Sequence, residues 1–150
     1  MFQISAQQLK ASKLAAAMAD PRGGAFVSFE GWVRNRNDGR DVLFLEYECY
    51  ETLALKEGLR ILAEAAARFD VLNVRCVHRT GRLDIGELAV WIGVIAEHRG
   101  EAFRACQFVI DEVKHRVPIW KKETYANGAS EWVNCAGCAA HHHAEGEAHR

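Results

Sequence analysis

Leu88 to Pro118 reads LAVWIGVIAEHRGEAFRACQFVIDEVKHRVP. Two periodicities meet in it. Leu88 to Ala96 is a long apolar run, read as a strand. From Arg99 the period changes. At about 100° per residue, Ala102, Cys106, Val109, Val113 and Val117 fall on one stripe, widened on a flank by Phe103 and Ile110. This predicts a helix over Arg99–Val117. Pro118 ends it, because proline lacks the N–H and disfavours helix in the residue before it. Lys114 falls on the Phe103–Ile110 flank, so its stem lies on apolar surface and its ammonium emerges at the core edge.

Working outward, Ser5–Met18 reads as a first helix, with Ser5 and Gln8 as a capping box and Leu9, Leu14 and Met18 as apolar positions. Asp20-Pro21-Arg22-Gly23-Gly24 breaks it. Ala25–Val33 reads as a strand and 34–40 as a polar loop. Val42–Tyr50 alternates, with Leu43, Leu45, Tyr47 and Cys49 on one face and Glu46 and Glu48 on the other. Thr52–Phe69 is a second helix, with Leu55, Leu59, Leu62 and Ala66 at helical spacing. Val71–His78 is a strand and Gly81–Gly86 a turn. After Pro118, Trp120–Lys122 and Glu131–Val133 form short strands around a turn at Asn127-Gly128. The order α-β-β-α-β-β-α-β-β predicts an α+β fold with largely antiparallel pairing.

The chain has 150 residues, 49 % of them hydrophobic, and two prolines, which suits one domain with a proper core. We divide it into a domain over 1–134 and a flexible tail rich in Cys and His over 135–150. Basic and acidic residues number 19 and 20, for a net charge of -1, which argues against a general nucleic-acid binder. No apolar run reaches the roughly 20 residues of a membrane span. Cys49, Cys76 and Cys106 sit in apolar patterns, as reduced thiols of a cytoplasmic protein do.

Against that neutral background, DEVKHRVPIWKKE (Asp111–Glu123) gathers Lys114, His115, Arg116, Lys121 and Lys122. One lysine alone reads as snorkelling, and a charge run alone as a solvated face. The turn at Pro118 changes this, because it brings Lys121 back towards Lys114. Glu97-His98-Arg99 lies where the apolar strand gives way to the third helix, a place for phosphate if Arg99 is not consumed by Glu97 or Glu101. Arg34-Asn35-Arg36-Asn37 adds a third basic patch after a strand. Together they predict a pocket for an anionic, phosphorylated small molecule. No Walker loop, GxSxG or HExxH motif occurs. Trp91 and His78 read as structural, and Trp120 as core or pocket wall.

Taken in order, GAFVSFEGWVRNRN (24–37), LEYECYETLALKE (45–57), VHRTGRLDIGELAVWIGVIAEHRGEAF (77–103), DEVKHRVPIWKKE and the later EWV resemble the large, catalytic subunit of molybdopterin synthase, the MoaE family. The resemblance implies an α/β hammerhead with an additional antiparallel β subdomain, and a homodimer within a heterotetramer. The partner is a small ubiquitin-like sulfur carrier whose C-terminal Gly-Gly bears a thiocarboxylate. The substrate is cyclic pyranopterin monophosphate (precursor Z), and two sulfur transfers form the molybdopterin dithiolene. By matching positions, Lys114 and Lys121 are the catalytic lysines, Lys114 beside the thiocarboxylate tail. His98 and Arg99 hold the phosphate and Arg34 faces the substrate, while Lys122 and Glu123 adjoin the pocket. No cofactor or metal is required, since the carrier brings the activated sulfur. Cys135, Cys138 and His141 to His143 have donor types for zinc, but a single CxxC without a second knuckle reads rather as low-complexity tail. A non-catalytic phospholigand-binding module, or a metal-binding interaction protein acting through that tail, are the alternatives.

Overall fold

The structure is a computed structural model and describes residues 1–134. The anticipated 135–150 tail, with its Cys and His residues, lies outside the described residues. At the centre is β7 (Leu88–Ala96), buried along its whole length. It pairs antiparallel with β5 (Asn73–Arg79) and β2 (Ala25–Trp32). A further strand, β1 (Phe2–Ser5), runs parallel to β5, giving the order β1-β5-β7-β2.

The apolar run of β7 is explained by cover on both faces. Val90, Ile92, Val94 and Ala96 join the main core with the buried faces of α2 (Glu51–Arg68) and α3 (Arg99–Arg116). Trp91 and Ile95 pack on the other side with Met18, Leu9 and Leu14, around the short helix α1 (Ala11–Ala16). Gly93 makes room for the Trp91 indole, since a Cβ there would lie 2.3 Å from its ring.

The second sheet is the antiparallel subdomain. Its order is β3 (Arg36–Asn37), β4 (Arg40–Cys49), β8 (Ile119–Tyr125) and β9 (Ser130–Asn134), with β6 (Gly81–Asp84) also on β4. Asp38 and Gly39 both have positive φ and close the β3–β4 hairpin. This α+β arrangement agrees with the expected fold.

Several local expectations are corrected. The first helix does not begin at Ser5, because Phe2–Ser5 is already paired with Cys76–Arg79. Ser5 Oγ accepts from Gln7 N at 3.1 Å, a local turn rather than a capping box. The 34–40 loop contains β3, and Gly81–Asp84 is a strand rather than a turn, with Leu83 fully buried. In β4, a register irregularity between Val42 and Phe44 switches the buried parity, so Val42, Leu45 and Tyr47 point inward while Leu43 is 54 % exposed. The buried face of α2 is Ala54, Gly58, Ile61, Leu62 and Ala65; Leu59 and Ala66 face solvent. The α3 stripe from Ala102 to Val117 is buried as expected, but Phe103 is exposed.

Candidate active site

A cavity of about 210 Å³ lies between the two sheets and the last turns of α3. Each part of its wall follows from a local feature of the chain. Arg34 and Arg36 come from the segment that leaves β2 and turns into the β3–β4 hairpin. Lys114 comes from the flank of α3, half-buried beside Val113. Val117 leaves the helix with extended backbone before Pro118, and β8 starts at Ile119, so Lys121 returns to the same cavity. Phe29, Val90, Leu45 and Tyr47 supply the apolar part of the lining.

Four cations, Arg34, Arg36, Lys114 and Lys121, thus share this space with one carboxylate, Glu123. Glu123 is only 2 % exposed. Its Oε1 lies 3.2 Å from Lys121 Nζ. Asn37 Nδ2 donates to both carboxylate oxygens, at 2.9 and 3.0 Å. Tyr125 Oη donates to Oε2 at 2.9 Å, and Arg40 in turn donates to Tyr125 Oη at 3.0 Å. Burial works to raise the Glu123 carboxyl, but the Asn37 and Tyr125 hydrogen bonds and the Lys121 ammonium outweigh it and hold it below the usual range. Burial, with the adjacent Glu123 carboxylate, pushes the Tyr125 phenol up to about 12.

Lys114 has a different setting. Among the described residues no carboxylate lies within ion-pair distance of it. Behind it sits His78, 2 % exposed, with Nδ1 2.7 Å from the Arg79 carbonyl and its ring edge-on to Tyr47. Burial, reinforced by the Lys114 charge and opposed by the Arg79 bond, lowers His78 to about 4. The imidazole is therefore neutral at pH 7, and Nδ1 carries the proton that the Arg79 carbonyl accepts.

Of the anticipated site residues, Arg34, Lys114, Lys121 and Glu123 are brought together. Lys122 is not a wall residue. It alternates with Lys121 along β8, and its ammonium lies 5.7 Å from the centroid of Trp132. His98 and Arg99 are exposed at the opposite end of α3, so roughly 22 Å separates Arg99 from Lys114 along the helix. Glu101, one rival partner for Arg99, is taken by Arg104 and by the Asp70 N–H. His115 faces solvent, and Arg116 is held by Glu57, Glu64 and Glu112, tying α3 to α2.

Arg36, Asn37, Phe29 and Tyr47 were not singled out from the sequence. Arg36 had a signal, its place in the same basic patch as Arg34. Asn37 stood in that patch too but had no signal of its own, because an asparagine before Asp-Gly reads as turn chemistry. The arrangement can hold one or more anions against apolar walls, where fixed cations act most strongly.

The MoaE protein family matches residues 4–116. The "Molybdopterin synthase catalytic subunit" of Nostoc sp. is 40 % identical over 138 residues, covering 91 % of this chain and 84 % of that protein. The crystal structure of molybdopterin synthase from Staphylococcus aureus superposes with a TM-score of 0.83 at 34 % identity, covering 88 % of this chain and 96 % of the other. A complex of subunits 1 and 2 of molybdopterin-converting factor from Helicobacter pylori gives 0.72 at 23 % identity over 89 % and 88 %, a likeness of fold alone. From the match over most of its length, and from relatives at this level of identity, the chain belongs to the MoaE family.

Proposed function

We propose that this chain is the catalytic subunit of a molybdopterin synthase, working in the cytoplasm. It transfers sulfur from the thiocarboxylated Gly-Gly terminus of a small ubiquitin-like carrier to cyclic pyranopterin monophosphate. Two transfers build the dithiolene, and the cyclic phosphate opens along the way. Each transfer leaves a carrier terminus as carboxylate. The observation that carries this reading is the convergence of Arg34, Arg36, Lys114 and Lys121 on one cavity in a chain whose net charge is only -1.

The chemistry asks for such a cavity. The thiocarboxylate and the cyclic phosphate are both anions, and their approach is repulsive without fixed positive charge. Lys114 stands beside the carrier tail. Unlike Lys121, it has no carboxylate at ion-pair distance among the described residues, so its charge is available to a ligand. Lys121 and Arg34 face the pterin side. His98 and Arg99 serve the phosphate through a second copy of the chain in a homodimer, since one copy's own α3 holds them too far from Lys114. The described residues include no helix long and apolar enough to cross a membrane. No metal or cofactor is assigned to the reaction, because the carrier supplies the activated sulfur.

The test is a single-turnover assay with thiocarboxylated carrier and precursor Z. Wild type forms molybdopterin, and Lys114→Ala loses at least about a hundredfold in rate. No product from folded wild type would leave a phospholigand-binding module. Equal product from both proteins would move the principal role to Lys121.

A further inference from the structure

Asn37 is half-buried in the β3–β4 hairpin and donates its amide to both oxygens of Glu123, at 2.9 and 3.0 Å. That hairpin also carries Arg36, and Arg34 lies two residues before it. Glu123 in turn holds Lys121 at 3.2 Å. We propose that Asn37 is a positioning residue of the sulfur-transfer site, locking the arginine segment to the Glu123–Lys121 pair. This rests on the function proposed above.

Glu123 is better suited to anchoring than to touching substrate. It is buried, and its oxygens already take donors from Asn37, Tyr125 and Lys121. A carboxylate facing an incoming phosphate or thiocarboxylate would repel it. Turned inward and saturated, it instead fixes where the Lys121 ammonium stands. The charged and titratable groups around it are Lys121 and Tyr125 on β8, Arg40 on β4 and Glu131 on β9, which is paired to Arg40 at 2.8 Å. Across the cavity stand Lys114 of α3 and the two arginines. Asn37 is the neutral donor that joins the hairpin to this set. Removing it frees the cationic segment on one side and takes a donor from a buried carboxylate on the other.

The experiment measures single-turnover sulfur transfer against pH for wild type, Asn37→Ala, the near-isosteric Asn37→Asp and Tyr125→Phe. Asn37→Ala lowers the rate at neutral pH roughly ten- to a hundredfold through misplacement. It also moves the acid limb of the profile up, because Glu123 becomes easier to protonate. Tyr125→Phe, which removes another donor from the same carboxylate, moves the limb in the same direction. Asn37→Asp, alike in shape but without the amide donor, loses more than Asn37→Ala. A rate loss with an unmoved acid limb in every variant would show a merely structural role and overturn the proposal. So would a wild-type profile in Asn37→Ala. If Asn37→Ala fails to fold, Asn37→Asp and Tyr125→Phe decide by the same limb. Product from wild type establishes the underlying reaction independently of these outcomes, whereas its absence removes that reading.

Discussion

Lys114 and Lys121 share a cavity but not an environment. Lys121 is backed by a buried carboxylate, and Lys114 by a buried neutral imidazole. A proton on His78 would place a second cation behind Lys114 in a desolvated spot, which is why the folded protein resists it. In the unfolded chain His78 takes up its proton near the ordinary 6.5, and in the folded chain only near 4. The stability this represents is present above about pH 6.5 and is lost as pH falls towards 4. By pH 5 the loss is about 2 kcal/mol. The carboxylates with depressed values, Glu123 among them, lose their contribution further into acid and in the same direction. Urea midpoints measured at pH 7.5 and pH 5 therefore separate the two effects. Wild type drops between them and His78→Gln drops much less; equal drops would exclude His78 as the cause. From the sequence, His78 read as structural after an apolar strand, and its burial agrees. Its closeness to Lys114 was not legible, because it depends on how β5 sits against α3.

At the scale of elements, α2 shows how packing overrides pattern. Leucines at helical spacing suggested a stripe through Leu55, Leu59 and Leu62; Leu62 is buried and Leu55 packs on the core edge, but Leu59 faces solvent and the rest of the buried face is Ala54, Gly58, Ile61 and Ala65. The small residues let it sit close to the sheet, and the reason is Phe2. A Cβ on Gly58 would lie 2.3 Å from the Phe2 ring, at Cγ and Cδ1. Strand β1 was invisible in the sequence because it has only four residues and pairs parallel with a distant partner. Without it, nothing marks the glycine face as the buried one. The β4 irregularity likewise hid the inward place of Val42, because alternation from Leu43 looked unbroken until the partner strands were known. By contrast, β7 and α3 were legible nearly to the residue, since cover on both faces and a full apolar stripe leave little choice. Gly58→Ala tests the α2 contact. Helix propensity favours alanine by about 1 kcal/mol, while overpacking against Phe2 costs about 1–3 kcal/mol. The variant is expected to be less stable than wild type in urea, and Phe2→Ala in the same chain to remove the clash. A Gly58→Ala protein more stable than wild type would mean that Phe2 moves aside freely.

For the whole molecule, the basic segments recognised in the sequence do not form one pocket within one chain. The arginine segment and the two lysines meet, whereas His98 and Arg99 stand at the far end of an 18-residue helix. Sequence reading could identify the cations but not this spacing, because adjacency in one motif set carries no distance. A small substrate cannot span roughly 22 Å, so the two groups act on one molecule only if a second copy brings its α3 N-terminus to the cavity. A closed two-fold dimer supplies such an arrangement twice. Variants in separate chains then separate the possibilities. Lys114→Ala and Arg99→Ala are each expected to be inactive alone. Unfolded and refolded together, they form mixed dimers in which one of the two sites combines an intact Lys114 with an intact Arg99, while the other carries both substitutions. Sulfur transfer should return in the mixture and scale with the fraction of mixed dimers. If Arg99→Ala is fully active by itself, the helix terminus has no part in the reaction. If both variants are inactive and the mixture remains inactive although mixed dimers form, shared sites are excluded, and Arg99→Ala loses activity by a route other than a substrate phosphate held at its partner's cavity.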